Sequence, residues 1–105
     1  MLIAVMLEDR EVEYQYERKY HGEKITGIVR PDFTFTTSAG DSIFWEHLGM
    51  LSRDDYRKSW EWKLAWYEHN GIVVGQNLFT TEDDLYGGMS AKTIEGTIDK
   101  IMKLL

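Results

Sequence analysis

The sequence predicts a mixed α/β domain, with elements in the order α-β-β-β-α-β-α around one central four-stranded sheet flanked by helices. Three observations predict it. Apolar residues recur at helical spacing near both ends and in a tryptophan-rich middle segment. Runs rich in Val, Tyr, Phe, Ile and Thr lie between these segments. Turn-forming residues separate the runs at 21–27, 38–41 and 70–71. With 105 residues, 43% of them hydrophobic, the chain builds a single core and reads as one domain spanning 1–105.

The elements follow in order. Leu2, Ile3, Met6 and Leu7 share a helical face, so residues 2 to about 9 read as a helix. That helix begins without a cap and reads as truncated, as if the chain were a fragment of a longer protein. In residues 12–20, Val12, Tyr14 and Tyr16 alternate with Glu13, Gln15 and Glu17, which is a strand pattern. Residues 29–37 read as a second strand, with Pro31 near its start, where a missing N–H is tolerated. Residues 42–49 read as a third strand after the turn at 38–41. Ser52 is the expected cap of the next helix, with Asp54 and Asp55 in the first turn, where the helix dipole favours acids. Asn70-Gly71 ends that helix after His69. Residues 77–81 are a short fourth strand, 82–88 a loop, and Gly87-Gly88 a flexible corner that matches no phosphate-cradling motif. Ser90 caps a last helix with Ile94, Ile98, Ile101 and Leu105 on its buried stripe. The first three strands form a meander, and the middle helix crosses over to deliver the fourth.

The bulk numbers narrow the function classes. With no cysteine, disulfides and thiolate metal sites are excluded, and the composition fits a reducing cytoplasm. No apolar run approaches the roughly 20 residues of a membrane span, and the apolar start has no basic segment or cleavage site of a signal peptide. A net charge of -6 argues against nucleic-acid binding through a diffuse basic surface.

Two acids stand out because they lie among Phe, Trp and Ile: Asp32 at the head of the second strand and Glu46 near the end of the third. A three-residue loop at 38–40, with Gly40 in the left-handed position, pairs Thr37 with Asp41, Thr36 with Ser42, Thr34 with Phe44 and Asp32 with Glu46. The acids then face each other with Cβ atoms roughly 4.5–5.5 Å apart. A two-residue Ala39-Gly40 loop pairs Phe33 with Glu46 instead and leaves the acids diagonal. Neighbouring carboxylates are relieved by a raised pKa or by a divalent cation. In the helix that follows, Tyr56, Trp60, Lys63 and Tyr67 fall on one stripe with Leu64 at its edge, and Trp62, Trp66 and His69 lie on another side. Lys63 is therefore a lone cation on an aromatic face, placed to reach the two acids.

These residues, from "RPDFTF" through "FWEHLG" to "YRKSWEWKLAWYEHNGI", resemble the PD-(D/E)XK, or restriction-endonuclease-like, nuclease superfamily, and more narrowly the small nuclease-like domain appended to some bacterial DNA helicases. The resemblance covers the order of elements from Tyr14 to Leu105 and is motif-level only over residues 30–72. It implies metal-dependent hydrolysis of DNA phosphodiesters, with Asp32 and Glu46 as ligands of Mg²⁺ or Mn²⁺ and a helicase as fused or associated partner. The superfamily's lysine should stand two residues after the glutamate, and Leu48 stands there. Superfamily members exist whose lysine has moved to the following helix, which makes Lys63 the candidate here. Glu8 and Glu17 are the nearest substitutes for a further acid from the first helix.

Each residue also has an ordinary reading. Asp32 is then a turn acid after Pro31, Glu46 an edge-strand charge, and Lys63 a lysine whose stem lies over Trp60 and Tyr67. His47 should point to the opposite face from Glu46 and hydrogen-bond there. Trp60, Trp62, Trp66 and Tyr67 are either core or a stacking platform for single-stranded DNA, and Arg53, Arg57 and Lys58 either touch phosphate or form a solvated face. The rival to an enzyme is a catalytically inactive nuclease-fold module that docks DNA or a helicase or repair partner. A third reading is a self-association domain with exposed aromatics.

Overall fold

The structure, a computed structural model, describes residues 2–49, 51–84 and 88–105. The elements are α1 (Leu2–Asp9), β1 (Gln15–Tyr16), β2 (Tyr20–His21), β3 (Ile28–Val29), β4 (Phe33–Thr36), β5 (Ser42–Leu48), α2 (Asp54–His69), β6 (Leu78–Glu82) and α3 (Ala91–Met102). They make a mixed α+β fold with a four-stranded sheet in the order β1-β4-β5-β6 and a two-stranded sheet of β2 and β3. β1, β4 and β5 run antiparallel, and β6 lies parallel to β5, delivered by α2.

The expected meander and crossover are present, but the second element differs from its prediction. One strand across 12–20 is not formed. Glu17 takes a positive φ of 52°, which ends β1 after two residues. The chain then turns away, and Tyr20–His21 pairs with Ile28–Val29 as a separate hairpin. The strand expected over 29–37 is split the same way, between β3 and β4. Alternation alone could not show that the backbone changes sheets at Glu17.

The hairpin between β4 and β5 has the three-residue loop. Thr36 pairs with Ser42, Thr34 with Phe44 and Phe33 with Trp45. Thr37 N–H donates to the Asp41 carbonyl at 2.8 Å, and Gly40 takes a φ of 88° that an L side chain rarely adopts.

The period of two along these strands creates two cores. On one face Phe33, Phe35, Ile43, Trp45 and Phe79 pack with Ile3 and Leu7 of α1 and Ile94, Ile98 and Ile101 of α3. On the other, Phe44 and Leu78 pack with Trp66 and Tyr67 of α2 and with Ile72. The sheet is thus the middle of three layers, with α2 and the β2–β3 hairpin on the face that carries Phe44 and Glu46.

The helices follow their patterns with local corrections. Arg53, not Ser52, is the N-cap of α2, and its side chain makes no cap bond, while Asp54 and Asp55 occupy the first turn as expected. Ser90 does cap α3, accepting from the Thr93 N–H at 3.3 Å. α3 ends at Met102, so Leu105 leaves the buried stripe and is 38% exposed. The loop expected over 82–88 includes Leu85, Tyr86 and Gly87, so Gly87 of the Gly87-Gly88 corner lies outside the described residues.

Candidate functional site

The observed register continues one step beyond β4 to set Asp32 opposite Glu46, the facing arrangement of the two acids. β5 has β4 on one side and β6 on the other, so Glu46 stands on an interior strand. Its reading as an edge-strand charge is therefore wrong. Asp32, Glu46 and Leu48 share the sheet face toward α2 and, with Tyr56, Ser59, Trp60 and Lys63 of that helix, line a cleft of about 220 Å³.

Lys63 reaches Glu46 directly: its Nζ forms an ion pair with Glu46 Oε2. The same oxygen accepts a hydrogen bond from the Tyr67 hydroxyl at 2.9 Å. The ammonium also stands 5.9 Å from the centre of the Tyr67 ring. Tyr56, Trp60, Lys63 and Tyr67 thus occupy the one helix face that their spacing predicts. Burial pushes the Glu46 carboxyl above its ordinary value; Lys63 and Tyr67 pull it partly back, and Asp32 adds a smaller push upward. The Tyr67 hydroxyl is driven far above its ordinary value, first by burial and then by the neighbouring Glu46 charge. Tyr67 is thereby kept as a neutral donor.

Asp32 is fixed differently. Its Oδ2 accepts the backbone N–H of His47 at 2.7 Å. The His47 ring lies on the opposite sheet face, as alternation predicts. There Nδ1 is 2.7 Å from Thr81 Oγ1 and Nε2 is 2.7 Å from Asp83 Oδ1. Trp45 Nε1 donates to the same Thr81 hydroxyl at 3.0 Å. This chain of bonds ties β5 to β6 and leaves no imidazole nitrogen facing the cleft.

Several expected contributors lie elsewhere. Glu8 sits on α1, beyond the other sheet face, and accepts from the Tyr14 hydroxyl at 3.0 Å. Glu17 holds its bend through a backbone bond to the Asp32 carbonyl and does not line the cleft. Arg53 pairs with Asp55, and Arg57 with Asp54 and Glu61, all along the outside of α2. Trp66 is 5% exposed and Tyr67 fully buried, so both are core, whereas Trp62 is 67% exposed.

The oxygen-only donor set of two facing carboxylates suits a hard divalent cation, which commonly takes one or two carboxylates and fills its remaining positions with water and phosphate oxygens. Both hydrogen-bonded oxygens are Asp32 Oδ2 and Glu46 Oε2, so Asp32 Oδ1 and Glu46 Oε1 are the atoms that would hold it. Among the described residues no three His, Asp or Glu side chains are grouped to hold a metal ion. Larger hollows of about 690 and 730 Å³ lie under the 38–41 turn and beside β1. Their carboxylates, Glu23 and Asp41 in the first and Glu8 and Glu13 in the second, are all exposed, and the chemistry favours the smaller cleft.

Fold and site together define a mixed α+β domain with an acid–lysine cleft between a central sheet and a crossover helix. Family models, curated proteins and solved structures were all compared with the chain, and none matches it. No helix among the described residues is long and apolar enough to cross a membrane.

Proposed function

We propose that this is a restriction-endonuclease-like domain that hydrolyses DNA phosphodiesters with the help of Mg²⁺ or Mn²⁺. The observation that carries the reading is the placing of Lys63 from α2 against Glu46, opposite Asp32 in the hairpin register, in one cleft. Asp32 and Glu46 would hold the ion, which supplies positive charge for a phosphate oxygen and acidifies a water. Asp32 is oriented for this by the His47 amide, and Glu46 by Tyr67. Lys63 neutralises Glu46 in the free protein. Its ammonium, on the wall of the same cleft, would add positive charge beside an attacked phosphate. Leu48, which occupies the superfamily's usual lysine position, lines the same cleft, so the lysine's charge enters from the helix instead of the strand. A helicase partner belongs to this reading through the resemblance, and a cytoplasmic setting through the cysteine-free composition.

Asp32→Ala and Glu46→Ala should abolish Mn²⁺-dependent cleavage of an oligonucleotide, and Lys63→Ala should slow it by roughly 10²–10³. Unchanged cleavage in both acid variants would overturn the reading. A second reading, an inactive module of the same fold, is favoured by the way Lys63 already satisfies Glu46 without a metal. Calorimetric Mn²⁺ titration separates the two: a hydrolytic site binds Mn²⁺ and loses affinity in Asp32→Asn, whereas an inactive module shows no carboxylate-dependent binding.

A further inference from the structure

Among the described tryptophans Trp62 is the one that the fold leaves in solvent, at 67% exposure, while Trp45 and Trp66 are buried. A lone exposed aromatic needs no explanation. Trp62 is not alone. With Val29, Lys58, Ser59 and Lys63 it lines a shallow trough of about 550 Å³. Ser59 and Lys63 also line the acid–lysine cleft, so trough and cleft share a wall. The trough therefore combines an apolar floor, a flat indole and the Lys58 ammonium, while the Lys63 ammonium stands at its border with the cleft, paired with Glu46. Lys58 stands one turn before Trp62 on α2, and unlike Arg53 and Arg57 it is not drawn into an ion pair with a described residue. On a chain of net charge -6 a lysine outside the helix's ion pairs, one turn from an exposed ring, is a specific arrangement.

That combination matches one ligand chemistry. An unpaired nucleic-acid strand offers a π-face for the indole and a phosphate for the Lys58 ammonium, and stacking tolerates any base. A paired duplex hides its base faces and offers only the phosphates. A second copy of this acidic chain would bring its own negative charge to Lys58 but no such repeat of ring and phosphate. We infer that Trp62 stacks on a base of a single-stranded segment, with Lys58 on its phosphate, so that the strand leads along the trough to the edge of the cleft. This deepens the hydrolytic reading and rests on it for the purpose of the trough, but the binding itself needs no catalysis.

The test uses the whole chain with a chelator present, so that binding is read without cleavage. Fluorescence anisotropy of labelled oligo-dT should give an affinity that falls roughly five- to a hundredfold in Trp62→Ala, the range for loss of one base–aromatic stack. Trp62→Phe should retain most of it, and Lys58→Ala should weaken it less than Trp62→Ala. Duplex binding should be indifferent to Trp62, and oligo-rU should follow oligo-dT. The inference fails if wild type does not bind oligo-dT, if Trp62→Ala binds it as wild type does, or if Trp62→Ala changes only the mass in solution, which would assign the ring to a second copy. If stacking is found while Asp32 and Glu46 variants show no cleavage defect, the hydrolytic reading fails alone. If cleavage depends on both acids and not on Trp62, only the present inference fails.

Discussion

Glu46 is 4% exposed, and burial outweighs its ion pair in setting its titration. An acid whose folded pKa lies above the ordinary 4.5 binds more protons in the folded chain than in the unfolded one. Its protonation therefore supports the fold fully below 4.5, and that support is lost as pH rises through the raised value. Urea unfolding from acid to neutral pH should show this decline in wild type and lose it in Glu46→Gln. Lys63→Met removes the charge that holds the carboxyl down, so the decline should move to higher pH. It also leaves a buried carboxylate unpaired; with the Lys63 side chain 27% exposed, the cost at neutral pH should fall at the lower end for such losses, about 3 kcal/mol. A Lys63→Met variant as stable as wild type at neutral pH would show that the pair has no part in the fold.

At the scale of elements, the β2–β3 hairpin is clamped onto the end of α2 by one side chain. Asn70 Oδ1 accepts the backbone N–H groups of Lys24 at 2.9 Å and Ile25 at 3.0 Å, and Nδ2 donates to the Trp66 carbonyl. Trp66 completes the clamp by donating to the Thr26 carbonyl at 3.3 Å. Gly27, at φ 147°, leaves room for that ring: a Cβ there would stand 2.8 Å from Trp66 Nε1. Asn70→Ala should cost about 2 kcal/mol, since two partly buried amides lose their acceptor. Hydrogen exchange should quicken at Lys24 and Ile25 while the β4–β5 amides stay protected. Uniform loss across the sheet would contradict a local clamp. The sequence shows Asn70 only as a helix terminator, because its partners lie far away in the chain. Trp66 stays open between core and stacking platform for the same reason: the hairpin that covers its side of the helix lies far away in the chain. The β4–β5 hairpin, by contrast, is legible from 38–41, although two- and three-residue loops both fit those residues and only the structure selects the longer one; the acids are neighbours in either. The acid pair is legible with it, and Lys63 follows from helical spacing once α2 is known to lie on that sheet face.

For the whole molecule, the net charge of -6 limits how any strand is held. If Lys58 supplies the phosphate contact of the trough, about one phosphate is neutralised. A log–log plot of oligo-dT affinity against salt should then have a slope of about -0.7. A slope steeper than about -3 would mean that cations outside the trough carry the binding. The element order was legible at this scale because long periodic segments fix it. The splitting of the first two predicted strands was not, because it depends on a positive φ at Glu17 that no pattern of side chains announces. One residue joins the two sides of the sheet. His47 gives its amide to Asp32 in the cleft and its ring to Thr81 and Asp83 behind it. That amide is a built-in spectroscopic reporter. Its proton resonance follows the charge on Asp32 through a 2.7 Å bond, so a cation arriving in the cleft can be read by NMR in the unaltered protein.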